Sequence, residues 1–286
     1  MNYRHAFHAG GFADVMKHAI LARILVYQTK KAAPLRFIDT HAGAGRYDLS
    51  SEAARRSPEW RGGIARILTT PPLPPVATLL EPYLKAVGAH DASVPFSYPG
   101  SPAIAQSLLR PHDRIALCEA HPEERAKLVA ALGRDARLSI VGADGYVALN
   151  AYLPPKERRG IALIDPPFEA PDELKRVERA LALALRKWPS GTCLAWRPVR
   201  EKQADAHFLN SVAALKAPNI LRIELDVGPG PPGAHGQKPL ERAGLLIVNP
   251  PHTLFAEARA LLRWLAELTA REGKGKAEVE WLTEPS

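Results

Sequence analysis

Two stretches of this sequence combine residue types that could do chemistry. The first is Asp165-Pro166-Pro167-Phe168, directly after the apolar run Ile161–Ile164. An exocyclic amine on an aromatic base is a poor nucleophile, because its lone pair is delocalised into the ring. A carboxylate oxygen and a backbone carbonyl that both accept from the NH₂ group bias that nitrogen towards tetrahedral geometry. Its lone pair then points at an electrophilic methyl. Two consecutive prolines fix φ twice and hold the carbonyls in place. An aromatic neighbour, here Phe168, can stack on a base that has left its helix. Asp165 would accept the proton late, as general base. Without such a role, the stretch would be a proline-rich strand end with a core Phe.

The second stretch is Asp39-Thr40-His41-Ala42-Gly43-Ala44-Gly45, after the apolar run Leu35–Ile38. A glycine-rich turn at the carboxyl end of a first strand lines the ligand crevice of open α/β sheets. A dinucleotide phosphate normally needs three glycines opening the helix; this turn has fewer, which favours a ligand without a pyrophosphate. Glu119 follows the run Ile115–Cys118 and could accept from two ribose hydroxyls. It lies 74 residues after Gly45, against roughly 20 expected, and the 55 residues of 47–101 account for the excess if they are an insertion. Asp144-Gly145 ends the run Leu138–Val141. That Asp could accept from an adenine amine, and the Gly would let the ring approach the backbone. Asp-Gly is also a common turn. Asn249-Pro250-Pro251-His252 mimics the first motif, but it follows a strand expected to run antiparallel, which points it away from the crevice.

These side chains need a scaffold of strands alternating with helices. Phe12–Lys30 has helical apolar spacing, and short apolar runs recur at 35–38, 115–118, 138–141, 161–164 and 192–196. A helix opened by Pro122-Glu123-Glu124 and helical stretches at 172–187 and 202–215 separate them. That alternation predicts a mostly parallel sheet with helices on both faces. The runs 220–227 and 244–248 are joined by the Gly/Pro loop 228–239 without a helix, which predicts an antiparallel pair. Residues 47–101 show a helix-like Thr78–Val87 and no strand pattern. The expected layout is a core of 1–46 and 102–286 with an inserted helical subdomain at 47–101.

Length and composition are compatible with that layout. A chain of 286 residues fits one large α/β domain with an inserted module. No apolar run approaches the roughly 18 residues of a bilayer span. The start has no apolar signal region, and Cys118 and Cys193 form no disulfide framework, so the cytoplasm is the expected location. The net charge is +8, and residues 1–66 hold eleven basic against five acidic side chains, six of that surplus. A basic N-terminal quarter suits a polyphosphate partner, or simply a soluble surface. Tyr3, Arg4, His5, Phe7, His8, Asp14, Lys17 and His18 crowd the start. Without a second cluster of ligand spacing, no metal site is expected. Lys17 or His18, with His41, could meet a cofactor carboxylate, and Tyr3, His5 and Phe7 could stack on bases. Ser101 would first cap the helix that follows it, and that helix start could also hold a carboxylate.

At this point the sequence resembles a known family. Tyr3–Gly10 with Ala13-Asp14-Val15 and Lys17-His18 is similar to the opening of the RlmJ family, bacterial adenine-N6 methyltransferases of large-subunit (23S) ribosomal RNA. The likeness continues through Asp39–Tyr47, Gly63–Ile67, Tyr98–Pro102, Asp144-Gly145, Ile164–Phe168 and Val248–Pro251. The family often has Tyr after Asp-Pro-Pro, where this chain has Phe168; stacking survives the change. The resemblance implies a Rossmann-like class I S-adenosylmethionine-dependent fold with a helical insertion. It implies S-adenosylmethionine contacts at His18, His41, Ser101, Glu119, Asp144 and Gly145, with Lys17, Gly43 and Asp165 beside them. Asp165 would be the acceptor, with Pro166 and Phe168, and Tyr3, Arg4 and His5 would meet the RNA. A monomer is expected, because a large substrate must reach the crevice. Other readings are a DNA adenine methyltransferase, a nicotinamide-dependent oxidoreductase and a non-catalytic RNA-binding protein.

Overall fold

The computed structural model describes residues 4–70, 72–88, 97–230 and 239–284. Its first long element, α1 (Phe12–Thr29), explains much of the rest. It has no Gly or Pro, and Val15, Met16, Ala19, Ile20, Leu21, Ala22, Ile24 and Leu25 are all buried. A helix that is apolar on nearly every side must be covered on every side. The sheet covers one side, and α4 (Pro74–Val87), α5 (Ser101–Leu108) and α10 (Leu254–Thr269) cover the others.

The sheet contains β1 (Arg36–Asp39), β4 (Arg114–Cys118), β5 (Leu138–Val141), β6 (Gly160–Ile164), β7 (Thr192–Pro198), β8 (Ile220–Asp226), β9 (Arg242–Val248) and β10 (Lys276–Thr283). Their order is β10-β8-β9-β7-β6-β1-β4-β5. From β5 to β7 all neighbours are parallel. β9 is antiparallel to both β7 and β8, as its helix-free loop predicts. The helices α6 (Pro122–Leu132), α7 (Gly145–Tyr152), α8 (Glu173–Lys187) and α9 (Lys202–Ala213) make the remaining crossovers. Apolar side chains of α7, α8 and α9 form a second buried cluster on the face opposite α1. This is the expected α/β architecture with helices on both faces.

Two features differ from the sequence reading. Residues 46–99 contain a two-stranded antiparallel ribbon, β2 (Arg46–Asp48) with β3 (Ser97–Pro99), where no strand was expected. Three-residue strands are too short to show a period of two. The short run 278–282 near the end of the chain, for which no strand partner was expected, lies in the edge strand β10, antiparallel to β8. Between the ribbon strands lie α2 (Glu52–Arg56), α3 (Ile64–Thr69) and α4. Ile64, Ile67, Leu80, Tyr83 and Tyr98 of this stretch share one buried cluster with α1.

The reversed β9 settles the two look-alike motifs. Val248 at its end pairs with Cys193 at the start of β7. Asn249 therefore lies at the edge opposite Asp165. Its Nδ2 donates to the carbonyls of Pro189 (2.7 Å) and Gly191 (2.9 Å), and its φ is +50°. Asn249 is a structural clamp. Asn249→Ala removes both bonds and leaves a side chain that dislikes positive φ, so it should cost about 2 kcal/mol or more. Urea unfolding with an unchanged slope checks this; wild-type stability in that variant would refute it.

Candidate active site

Because β4, β1, β6 and β7 run parallel, their carboxyl ends open on one edge, where such sheets hold ligands. Asp39, Glu119 and Asp165 follow or end these strands. The turn after β1 carries Gly43 at φ +60°, a left-handed conformation that suits glycine. The Gly43 amide donates to Glu119 Oε2 (2.8 Å), and the His121 amide donates to Oε1 (2.7 Å). Glu119 thus ties the first turn to the end of β4. Burial raises its proton affinity against those two amides. A carboxylate has about four acceptor positions, so two remain open.

Gly145 opens α7 hard against the same turn. A Cβ there would sit 2.0 Å from the Thr40 carbonyl oxygen. Asp144 caps that helix: its Oδ1 accepts from the Tyr146 (2.9 Å) and Val147 (3.1 Å) amides, and its Oδ2 from Arg176 (2.8 Å). The Tyr146 ring meets the His41 ring edge-on at 5.3 Å.

Asp165 has the most unusual surroundings. Lys17 Nζ lies 2.5 Å from its Oδ2 and 2.9 Å from Asp14 Oδ1. The Lys17 side chain is 5% exposed and that of Asp165 15%. The other Asp14 oxygen takes His5 Nε2 (2.8 Å) and the Gly10 amide (3.0 Å). Burial works against the charges of Asp14 and Lys17, yet their neighbours win. Asp14 is held well below the usual carboxylate range by His5 and Lys17, and the two carboxylates make Lys17 hold its proton more tightly than usual. Lys17 Nζ also lies 5.9 Å from the Trp196 ring centroid. Phe168 meets that indole edge-on at 5.5 Å. Its φ is +52°, a left-handed backbone that costs an aromatic residue about 1–2 kcal/mol.

Three sequence expectations need correction. Ser101 does not cap α5. The cap position is Gly100, and Ser101 Oγ instead donates to Asp39 Oδ2 (2.7 Å). His18 and His41 do not offer positive charge, because burial lowers them to about 3 and about 4. They are neutral donors or acceptors, with His18 Nδ1 on the Tyr98 hydroxyl (2.8 Å) and His41 Nδ1 on Thr40 Oγ1 (2.8 Å). Lys17 carries the charge, already matched by Asp14 and Asp165. Tyr3 lies outside the described residues. Arg4 is exposed and pairs with Glu123 (3.3 Å), and the His5 ring rests 4.9 Å from that of Tyr47.

Sequence reasoning left Asp14 without a role, named Asp39 only as the start of the glycine-rich turn, and missed Trp196. Asp39 is fully buried, accepts from Ser101 and the His41 amide (3.2 Å), and is pushed up to about 7 by burial. An acid closing an apolar strand was its signal; Trp196, inside an apolar run, had none. Among the described residues, no group of three or more His, Cys, Asp or Glu could hold a metal ion, and no helix is long and apolar enough to cross a membrane.

Comparison with known proteins now decides the family. A family model described as "Ribosomal RNA large subunit methyltransferase D, RlmJ" matches residues 32–283. The chain belongs to the RlmJ family. It is 37% identical to ribosomal RNA large subunit methyltransferase J of Escherichia coli (strain K12) over 99% of both chains. It is 35% identical to the protein of the same name from Haemophilus influenzae, again over 99% of both. The crystal structure of protein LPL1258 from Legionella pneumophila superposes with a TM-score of 0.84 at 33% identity, covering 96% of this chain and 98% of that one.

In this RlmJ-family site the buried histidines carry a pH signature. Unfolded, His18 and His41 take up protons as pH falls through 6.5; folded, they resist until about 3 and about 4. Their contribution to stability is full above pH 6.5 and is lost as pH falls towards 4. Asp39 has the opposite sign: raised from 3.8 to about 7, its contribution is lost as pH rises through that window. The thermal midpoint of a His18→Gln/His41→Gln double variant should therefore fall less than that of the wild type between about pH 6.5 and about pH 4.5. Scanning calorimetry at fixed ionic strength checks this. Parallel acid limbs would mean that the destabilisation arises elsewhere.

Proposed function

We propose that this chain transfers a methyl group from S-adenosylmethionine to N6 of an adenine in large-subunit ribosomal RNA. The observation that carries the reading is Asp165, set with its proline pair at the carboxyl end of β6 and bridged by buried Lys17. RlmJ-family membership gives the substrate class.

The residues around the β1 turn fit that cofactor. Gly43 and Gly145 have no room for side chains, because a Cβ would run into the Tyr47 hydroxyl and the Thr40 carbonyl, so the turn and the start of α7 pack closely beside Glu119. Glu119 has acceptor positions left for two ribose hydroxyls. The Asp144 carboxylate lies beside Gly145 and would accept from the cofactor's adenine amine. Lys17, with neutral His18 and His41, would line its amino-acid end; the Ser101 hydroxyl, whose proton goes to Asp39, and the Asp39 carboxyl would offer acceptors there. When bound, the cofactor supplies an electrophilic methyl.

The chain's own residues then act on a base flipped out of the RNA. Asp165 accepts one N6–H, and a carbonyl held by Pro166 accepts the other. Phe168 stacks on the ring, from a backbone conformation that presents it there at a cost. Asp165 takes the proton as the new bond forms. Tyr3, Arg4 and His5 meet the RNA beside the base. The protein works as a monomer in the cytoplasm; light scattering at the mass of one chain supports this, and twice that mass refutes it.

Transfer of labelled methyl tests the reading. Substrates are protein-free large-subunit rRNA, small-subunit rRNA and duplex DNA from cells lacking this gene. Label should appear as N6-methyladenine in the large-subunit RNA alone. Asp165→Asn should keep cofactor binding and lose at least about 10²–10⁴-fold in turnover, while Asn249→Ala stays near wild-type kcat. Label on DNA alone, or full activity in Asp165→Asn, overturns the reading.

A further inference from the structure

We infer that Asp14 is a positioning residue for this reaction, acting through Lys17 on the oxygen of Asp165 that receives the amine. The inference rests on the proposed methyl transfer. Asp14 is 3% exposed and accepts three bonds: Lys17 Nζ on one oxygen, His5 Nε2 and the Gly10 amide on the other. It sits in the first turn of α1, where the helix dipole favours an acid, and one turn before Lys17, on the same face.

The placement has a chemical consequence. A buried ammonium facing a single buried carboxylate gives that carboxylate its whole charge and its best-aimed N–H. An incoming amine would then compete with lysine for that carboxylate's charge. With two carboxylates 2.5 and 2.9 Å away, the Lys17 ammonium is shared, and its hold on Asp165 is divided. Asp165 keeps its place but stays available as an acceptor. Asp14 also ties the segment carrying His5 and Gly10 to the same ammonium, so the outer edge of the site and its base are held by one carboxylate.

Two variants and one background separate this role from a merely structural one. Asp14→Asn keeps the shape and removes the charge; Asp14→Glu keeps the charge and adds a methylene. A charge role predicts that Asp14→Asn loses about 10²-fold in kcat, the cost of a small misplacement at the chemistry. It predicts that KM for cofactor and RNA stays within about threefold, and that Asp14→Glu recovers part of the loss. A packing role predicts the reverse order, because Asn matches the shape of Asp and Glu does not.

In a Lys17→Met background, Asp14→Asn should change kcat by less than about twofold, because the residue through which it acts is gone. That double variant should also melt higher than Lys17→Met alone, in which Asp14 is left buried without its cation. Should Asp14→Asn alone fail to fold, Asp14→Glu and the Lys17→Met pair carry the comparison. Circular dichroism with a cooperative thermal transition confirms that each variant is folded. Additive losses, or Asp14→Asn more active than Asp14→Glu, overturn the inference and leave the methyl-transfer reading intact. A wild type that labels no RNA overturns both.

Discussion

One lysine ammonium in a nearly dry setting governs the site. Lys17 comes from the first helix and Asp165 from the end of the fourth parallel strand in chain order, 148 residues away. An unpaired ammonium at that depth would be strongly disfavoured, and so would either carboxylate alone. The three charges are tolerable only together, so α1 and β6 must keep their relative position. This explains why α1 is apolar on almost every side: it must be packed from all directions to hold Lys17 on register. Its coverings, α4, α5 and α10, come from distant parts of the chain. A large share of the core therefore serves one short contact.

The sheet contributes direction. Parallel strands bring Asp39, Glu119 and Asp165 to one edge, and the reversed β9 sends Asn249 to the other. Two nearly identical motifs thus take unrelated roles. One presents a carboxylate in a crevice; the other ties down the loop before β7 with its amide. Motif chemistry becomes informative only once strand direction is known, and here a loop without a helix was enough to give it.

Much of this was legible in the sequence, for identifiable reasons. The parallel strands are short apolar runs broken by helical spacing, and each motif followed such a run directly. The ribbon of β2 and β3 was not legible, because three residues cannot display a period. The partners of Asp165 were hidden for a different reason. Asp14 and Lys17 are one helical turn apart; the sequence offered Lys17 to a cofactor carboxylate and gave Asp14 no role, because nothing local says that the turn is buried. Ser101 misled in a similar way: a serine before proline at a helix start suggests a cap, but Gly100 takes that position and the hydroxyl is spent on Asp39. Trp196 looked like core; it is partly buried against the core, with the Lys17 ammonium over its ring.

Charge is partitioned by depth, and this bears on how one protein can attract a polyanion and still do chemistry on a neutral amine. The surplus of the N-terminal quarter lies outside: Arg46, Arg55, Arg56 and Arg61 are all exposed. Exposed cations act over a Debye length and attract phosphates with little regard to sequence. Inside, the histidines that could have added positive charge are held neutral by burial, and Lys17 is matched by two carboxylates. Among the described residues of the site, the buried lysine is thus already paired and is not free to trap a phosphate where a base belongs. In the proposed reaction, the outer arginines gather the RNA and the balanced interior admits the uncharged base. Burial draws the boundary between the two, by setting which groups are allowed to stay ionised.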